Sequence, residues 1–73
     1  MSQYEVEITA SFSTPQLAGK FASKFAAETG YEADREGRTL TCRVHGHGTE
    51  LVVREMAEGL GGTVRTEVLE DRE

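Results

Sequence analysis

The feature of this sequence that most restricts its fold is a stretch of strict alternation near the N-terminus. In "YEVEITASF", residues 4–12, apolar or small side chains occupy every second position and polar side chains lie between them. Successive side chains of a strand point to opposite faces, so the pattern predicts a strand with one buried and one exposed face. The predicted outward side chains are Glu5, Glu7, Thr9 and Ser11. The chain therefore needs a sheet with one covered side.

A helical pattern follows this first strand. Within residues 13–30, one apolar face is formed by side chains four positions apart, namely Leu17, Phe21 and Phe25. Ser13 or Thr14 is a candidate N-cap, and Gly30 can take the left-handed conformation that ends many helices. This segment is therefore predicted to be an amphipathic helix that packs on the sheet.

The next segment is predicted to be a hairpin that turns at Gly37 and Arg38. Its inward side chains are predicted to be Tyr31 and Ala33 on the first arm and Leu40, Cys42 and Val44 on the second. A second helix is predicted from Thr49 to Leu60, with one apolar side formed by Val52, Val53, Met56, Ala57 and Leu60. Residues 63–70 then alternate as a last strand, with Val64, Thr66 and Val68 inward and Arg65, Glu67 and Leu69 outward.

The resulting order βαββαβ predicts an α+β fold, the ferredoxin-like plait, with two helices on one face of a four-stranded antiparallel sheet. A chain of 73 residues is too short for two cores, so residues 1–73 are predicted to form a single domain with a frayed tail at 70–73. The outer strands of this topology are the second and the fourth. The side of the sheet without helices is left uncovered.

The stretch "CRVHGHGTE", residues 42–50, raises the question of a metal site because it contains a thiol, two imidazoles and a carboxylate. Strand alternation places Cys42 in the core and His45 on the uncovered face, so they cannot easily converge with His47 and Glu50 on one ion. We therefore predict no metal and no cofactor. Two alternatives stay open: an anion held by the "GHGT" backbone before the second helix, and a small-ligand or metal-sensing regulatory dimer that uses the loop from His45 to Gly48.

The sequence contains no motif typical of catalysis. No serine lies in a nucleophile elbow, and Cys42 is predicted to be buried. The uncovered face also lacks the aromatic side chains with which RNA-recognition domains stack bases. We therefore predict a non-enzymatic protein that binds no nucleic acid directly. With no secretion signal, no apolar run long enough for a bilayer and one cysteine, the predicted location is the cytoplasm, away from membranes.

Charge supplies the main functional hypothesis. The net charge is −5, and strand parity collects six carboxylates on the uncovered face against Arg43 and Arg65 alone. The predicted partner-binding residues are Glu5, Glu7, Glu32, Asp34, Glu36 and Glu67. Such a face can be an ordinary solvated surface, or it can meet a basic protein surface, for which charge complementarity speeds encounter.

In charge arrangement and size, the chain resembles the small acidic inhibitors by which phages block nucleic-acid-handling machinery such as CRISPR effectors. That resemblance rests on charge and length and covers no motif. It implies a nucleic-acid mimic that occludes the basic surface of a nucleic-acid-binding protein. Leu51 and Leu69, which lie off the predicted apolar faces, are candidate apolar anchors for such an interface or for a homodimer. A subunit of a larger enzyme assembly is a third interpretation.

Overall fold

The computed structural model describes the backbone of residues 3–72 and the side-chain surroundings of residues 4–69. The secondary-structure elements, in chain order, are β1 (Gln3–Ser11), α1 (Pro15–Thr29), β2 (Asp34–Glu36), β3 (Thr39–His45), α2 (His47–Gly59) and β4 (Thr63–Arg72). Within these described residues, neither helix has the length and apolar character required to cross a bilayer.

The four strands form one antiparallel sheet in the order β2-β3-β1-β4. Both helices pack on the same side of it, so the chain folds as the predicted α+β ferredoxin-like plait. The second and fourth strands are the outer ones, as predicted, and no helix formed by residues 3–72 covers the other side of the sheet. We call that uncovered side the open face.

The core lies between the sheet and the two helices. The predicted inward side chains of β1 and β3 are buried, except that of Tyr4, which is partly buried and packs against the core. The helices add further buried side chains to the same cluster: Ala18, Phe21, Phe25, Val53 and Ala57. Phe21 is central to it, since its ring centroid lies 5.3 Å from that of Phe12 and 5.9 Å from that of Phe25. Full burial of a side chain of this size stabilises the fold by roughly 1.5–3 kcal/mol.

Local signals set the ends of α1. Thr14 is extended, and its hydroxyl oxygen accepts a hydrogen bond from the backbone N–H of Leu17, as expected of an N-cap. Gly30 has φ 76° and its N–H donates to the carbonyl of Ala26, so the predicted left-handed stop is confirmed. The hairpin turns at Gly37 and Arg38, also as predicted.

Three sequence predictions are wrong in detail. Helix α2 begins at His47 rather than at Thr49, because Gly46 adopts φ 89° and reverses the chain directly after β3. Thr49, the predicted first residue of this helix, therefore lies inside it. Tyr31 precedes β2 and is exposed instead of inward, and Val52, predicted on the buried side of α2, is 45% exposed.

Strand β4 has a longer reach than expected. Its backbone pairs with β1 as far as Arg72 opposite Gln3, so the strand extends past its predicted end at residue 70. Glu73, the last residue of the predicted frayed tail, lies outside the described residues. Val6 pairs with Val68 and Glu5 with Glu70, so the register shifts by one residue at Leu69. This shift is a β-bulge, which bends a strand and increases its local twist.

Candidate functional site

The open face brings together the six carboxylates predicted from strand parity. Glu5 and Glu7 lie on β1, and Glu67 lies directly opposite Glu7 on β4. Asp34 and Glu36 lie on β2 opposite Thr41 and Thr39, which share the open-face parity of β3. Glu32 precedes β2 and lines the same depression as Glu7 and Asp34. How these groups act on a partner stays a prediction, but their common side is now defined.

Two of the six carboxylates have basic side chains, an arginine and a histidine, as neighbours in register across β1 and β3. Arg43 Nε lies 3.6 Å from Glu7 Oε2, and His45 Nε2 lies 3.7 Å from Glu5 Oε2. These pairs are partly exposed, so each stabilises the fold by at most about 1 kcal/mol. They place the two glutamates beside basic side chains near the centre of the sheet.

The other four carboxylates have no such neighbour among the described residues. None of the salt bridges there includes Glu32, Asp34, Glu36 or Glu67. Glu67 is also placed opposite another carboxylate, that of Glu7, and like charges directly opposite each other destabilise a sheet. The open face therefore carries excess negative charge, and repulsion among its carboxylates lowers the stability of the folded chain.

A shallow, open depression of about 390 Å³ lies between β2, β3 and the segment before β2. Its polar lining is formed by Glu7, Glu32, Asp34, Thr41 and Arg43, with the ring of Tyr31 at one side. The depression is wide and mostly anionic, which suits an inserted cationic side chain better than an apolar small molecule. Tyr31, predicted inward, thus becomes part of the open-face surroundings.

The residues of the "CRVHGHGTE" stretch point to different parts of the molecule. Cys42 is buried in the core, His45 lies on the open face, and His47 lies on the helix side, where its ring stacks on Tyr4 with centroids 3.8 Å apart. Within the described residues, no three His, Cys, Asp or Glu side chains are grouped so that they could hold a metal ion. Gly46 directs His45 and His47 to opposite sides of one chain, and the regulatory dimer that uses this loop stays a prediction.

Burial and charge both act on the thiol of Cys42. Desolvation by the core, and secondarily the carboxylate of Glu7, raise the pKa of Cys42 to about 11. A thiol in this condition is protonated near neutral pH and is a poor nucleophile. Cys42 is therefore a core side chain in this fold.

A polar cluster joins the start of β1 to the first turns of α2, and sequence analysis did not predict it. Tyr4 Oη donates a hydrogen bond of 2.8 Å to Glu50 Oε1, and Arg54 Nη2 lies 3.6 Å from Glu50 Oε2. Arg54 Nη2 also lies 3.5 Å from Thr66 Oγ1 on β4. Glu50 and Arg54 share the i,i+4 spacing typical of helix ion pairs, which was the available signal. The contacts to β1 and β4 depend on the folded chain.

The same cluster argues against an anion site at "GHGT". Gly48 and Thr49 lie within α2, and Glu50 places a carboxylate in its first turn. An acidic side chain at this position interacts favourably with the helix dipole and repels a second anion. The interpretation of the loop as an anion cradle is thus disfavoured by the structure.

We compared the chain with protein-family models, curated proteins and solved structures. None of the three comparisons gave a match. The geometry of the open face is therefore the basis for the functional argument.

Proposed function

We propose that this protein is a non-enzymatic, cytoplasmic protein-binding domain whose open face docks on a basic protein surface. The observation that carries the proposal is the group of four carboxylates on that face that have no arginine, lysine or histidine within ion-pair distance among the described residues, one of which lies opposite a further glutamate. A net excess of four negative charges on one side of the sheet attracts a surface of opposite sign.

The partner class follows from the sign and placement of the charges. Strongly basic protein surfaces commonly bind the phosphates of nucleic acids. Carboxylates two residues apart on a strand are roughly 7 Å apart and are held by the sheet, so they can replace a row of backbone phosphates without ordering a loop. Bound there, the domain would exclude DNA or RNA by occupying the surface.

The narrowest form of the proposal is a phage-type inhibitor of a nucleic-acid-binding effector such as a CRISPR complex. It is supported by the small size of the chain and its acidic face. It goes beyond the broader proposal by specifying the partner as a nucleic-acid-binding effector. The broader form needs only a basic surface. Arg43 and Arg65 remain as attractive sites for acidic side chains at the rim of such a partner.

The test is capture of the partner by immobilised protein from a nuclease-treated extract of the native host. Three baits are compared. The first is the natural chain, and the second, the open-face variant, carries three substitutions on the open face (Glu5→Lys, Glu7→Lys, Asp34→Lys). The third, the helix variant, has the same total charge change at exposed helix positions (Glu28→Lys, Glu55→Lys, Glu58→Lys). The proposal expects the natural and helix-variant baits to retain a basic protein that salt releases, and the open-face variant to lose it.

The retained protein is then identified and mixed with its own DNA or RNA and increasing amounts of the acidic domain. Displacement of the nucleic acid by the natural chain, and not by the open-face variant, is the expected result. Circular dichroism of all three chains checks that each is folded. Equal capture by the open-face and helix variants would reject the open face as the binding surface, and ternary complexes containing nucleic acid would reject occlusion.

A further inference from the structure

The two outer strands differ in how much of an unpaired edge they present. β2 has three residues, whereas β4 has ten and pairs with β1 on one side only. Unpaired backbone N–H and C=O groups along a strand are a template for pairing with another chain, and proteins usually block long edges. Residues 63–68 of β4, before the bulge at Leu69, contain no proline and have no net charge.

This edge is also accompanied by exposed apolar side chains. Val68 is 53% exposed on the helix side of β4, and Leu69 is 41% exposed at the bulge. Leu51 of α2 is 56% exposed and shares a depression with Arg54, which reaches Thr66 on β4. Two large apolar side chains are therefore exposed on β4 and a third on α2, the helix that contacts β4.

The order of residues along β4 is complementary to itself. In an antiparallel pair of two β4 strands with Thr66 opposite its own copy, Arg65 lies opposite Glu67 of the partner and Glu67 opposite Arg65 of the partner. Val64 lies opposite Val68 in the same register, and Thr63 lies opposite Leu69. Opposite charges and β-branched side chains at directly opposed positions are the pairs that stabilise antiparallel sheets.

Neighbouring registers lack this match. In a dimer with a two-fold axis perpendicular to the sheet, the two residues of each opposed pair lie on the same face. Each possible register therefore places one residue of β4 directly opposite its own copy. Centring on Arg65 or on Glu67 opposes like charges at the axis. Centring on Val68 leaves Glu67 opposite Leu69. The register at Thr66 therefore satisfies both the charges and the apolar positions.

We propose that two copies of this chain associate through their β4 edges in the register centred on Thr66. The product is a continuous eight-stranded sheet with all four helices on one side and both open faces on the other. The proposal does not depend on the partner proposed above, although Glu67 belongs to both surfaces. The two are also separable, because Glu5, Glu7 and Asp34 lie on strands away from the seam.

The test uses the full chain and reverses one charge of each pair. Arg65→Glu leaves a carboxylate at both paired positions of the strand, and Glu67→Arg leaves a guanidinium at both, so each variant repels its own copy twice. Sedimentation equilibrium should find the natural chain at twice its 8.0 kDa mass and should find the dimer of each variant weakened roughly tenfold or more.

Restoration is the decisive part of the experiment. An equimolar mixture of Arg65→Glu and Glu67→Arg chains has opposite charges at both positions, so native mass spectrometry should detect the mixed dimer in preference to either self-dimer. The double variant Arg65→Glu/Glu67→Arg is again self-complementary and should dimerise like the natural chain. Matched charge changes on the exposed helix surfaces, Lys24→Glu and Glu55→Arg, should leave the dimer unchanged.

Several results would overturn the proposal. A natural chain that stays monomeric at the highest soluble concentration, in low and in moderate salt, rejects it outright. Single variants that dimerise as well as the helix-surface controls place the interface elsewhere. Absence of mixed dimers from two folded single variants rejects the register. Circular dichroism shows whether each variant is folded, and the double variant tests the register even if one single variant is not.

Discussion

The two edges of this sheet present opposite chemistry to an approaching strand. If two β2 strands paired around Arg35, Asp34 would lie opposite Glu36 of the other copy, and like charges would meet twice. The same operation on β4 brings Arg65 to Glu67. Length differs in the same sense, since β2 has three residues and β4 has ten. One edge is short and acidic, and the other is long, locally neutral and partly apolar.

This difference shows that charge in the chain is distributed by position as well as by amount. The acidic residues near β2 protect an edge that has little backbone to offer, and they also contribute to the open face. The residues of β4 before the bulge leave the pairing edge available. Equivalent substitutions near the two edges can therefore be compared with each other.

The largest expected effect is at the start of β4, where Gly62 lies against the core. A Cβ added there would lie 2.5 Å from Phe12 Cε1 and 3.0 Å from the backbone oxygen of Ala57. Neither neighbour can move freely, because Phe12 is buried and packs on Phe21. Gly62→Ala should therefore lower the free energy of unfolding by about 2–3 kcal/mol, measured by urea denaturation. A loss below about 0.5 kcal/mol would mean that this edge is loosely anchored.

An intermediate effect on the free energy of unfolding is expected from Cys42 in β3, the strand that pairs with β2. The folded chain raises the pKa of Cys42 from 9.0 to about 11, so the unfolded chain releases the thiol proton first as pH rises. The stabilisation by this group is complete below pH 9 and is lost progressively up to pH 11. At pH 10 the expected loss is about 1 kcal/mol.

The measurement for Cys42 is the free energy of unfolding at about pH 8 and about pH 10 for the natural chain and for Cys42→Ala. Although Cys42→Ala removes core volume and is less stable overall, its change between the two pH values should be smaller by about 1 kcal/mol. Parallel pH dependence of the two chains would contradict the raised pKa. Labelling of the thiol with a disulfide reagent should be slow in the folded state at both values.

The smallest effect on the free energy of unfolding is expected for Gly19→Ala, at a position next to Arg35 of β2. It is the counterpart, on the β2 side of the molecule, of Gly62→Ala. A Cβ at Gly19 in α1 would lie 2.9 Å from Arg35 Nη1, the far end of a flexible side chain that reaches over the helix from β2. The guanidinium can move aside, and alanine favours helix over glycine by up to about 1 kcal/mol. Gly19→Ala should therefore be neutral or raise the free energy of unfolding by about 0.5 kcal/mol. A loss as large as that of Gly62→Ala would show that the β2 side is equally rigid.

The periodic parts of the sequence predicted the fold because burial follows alternation there. Residues 6–12 and 40–44 each have one side chain in two facing the helices, and the structure buries those side chains. The start of α2 was predicted wrongly because Thr49 has the chemistry of a cap, whereas the positive φ of Gly46 begins the helix at His47. Tyr31 was misplaced because β2 is three residues long and does not extend back to it.

The candidate site was predictable as far as parity could determine a face. Parity placed the carboxylates of β1, β2 and β4 on one side, but it could not determine which of them have cationic neighbours. That depends on register, which sets Glu7 between Arg43 and Glu67 and Glu5 beside His45. The bulge at Leu69 and the Tyr4–Glu50 hydrogen bond likewise arise from contacts between distant parts of the chain.

Because of the turn at Gly46, the imidazoles of His45 and His47 can serve as NMR probes for opposite sides of the molecule. The sequence contains two histidines, and this glycine sends one imidazole to the sheet surface beside Glu5 and the other to the ring of Tyr4 beneath α2. Imidazole proton resonances of the unmodified protein can thus be observed separately for the two sides. A ligand that perturbs the His45 signals alone occupies the carboxylate side, and one that perturbs the His47 signals alone occupies the helical side.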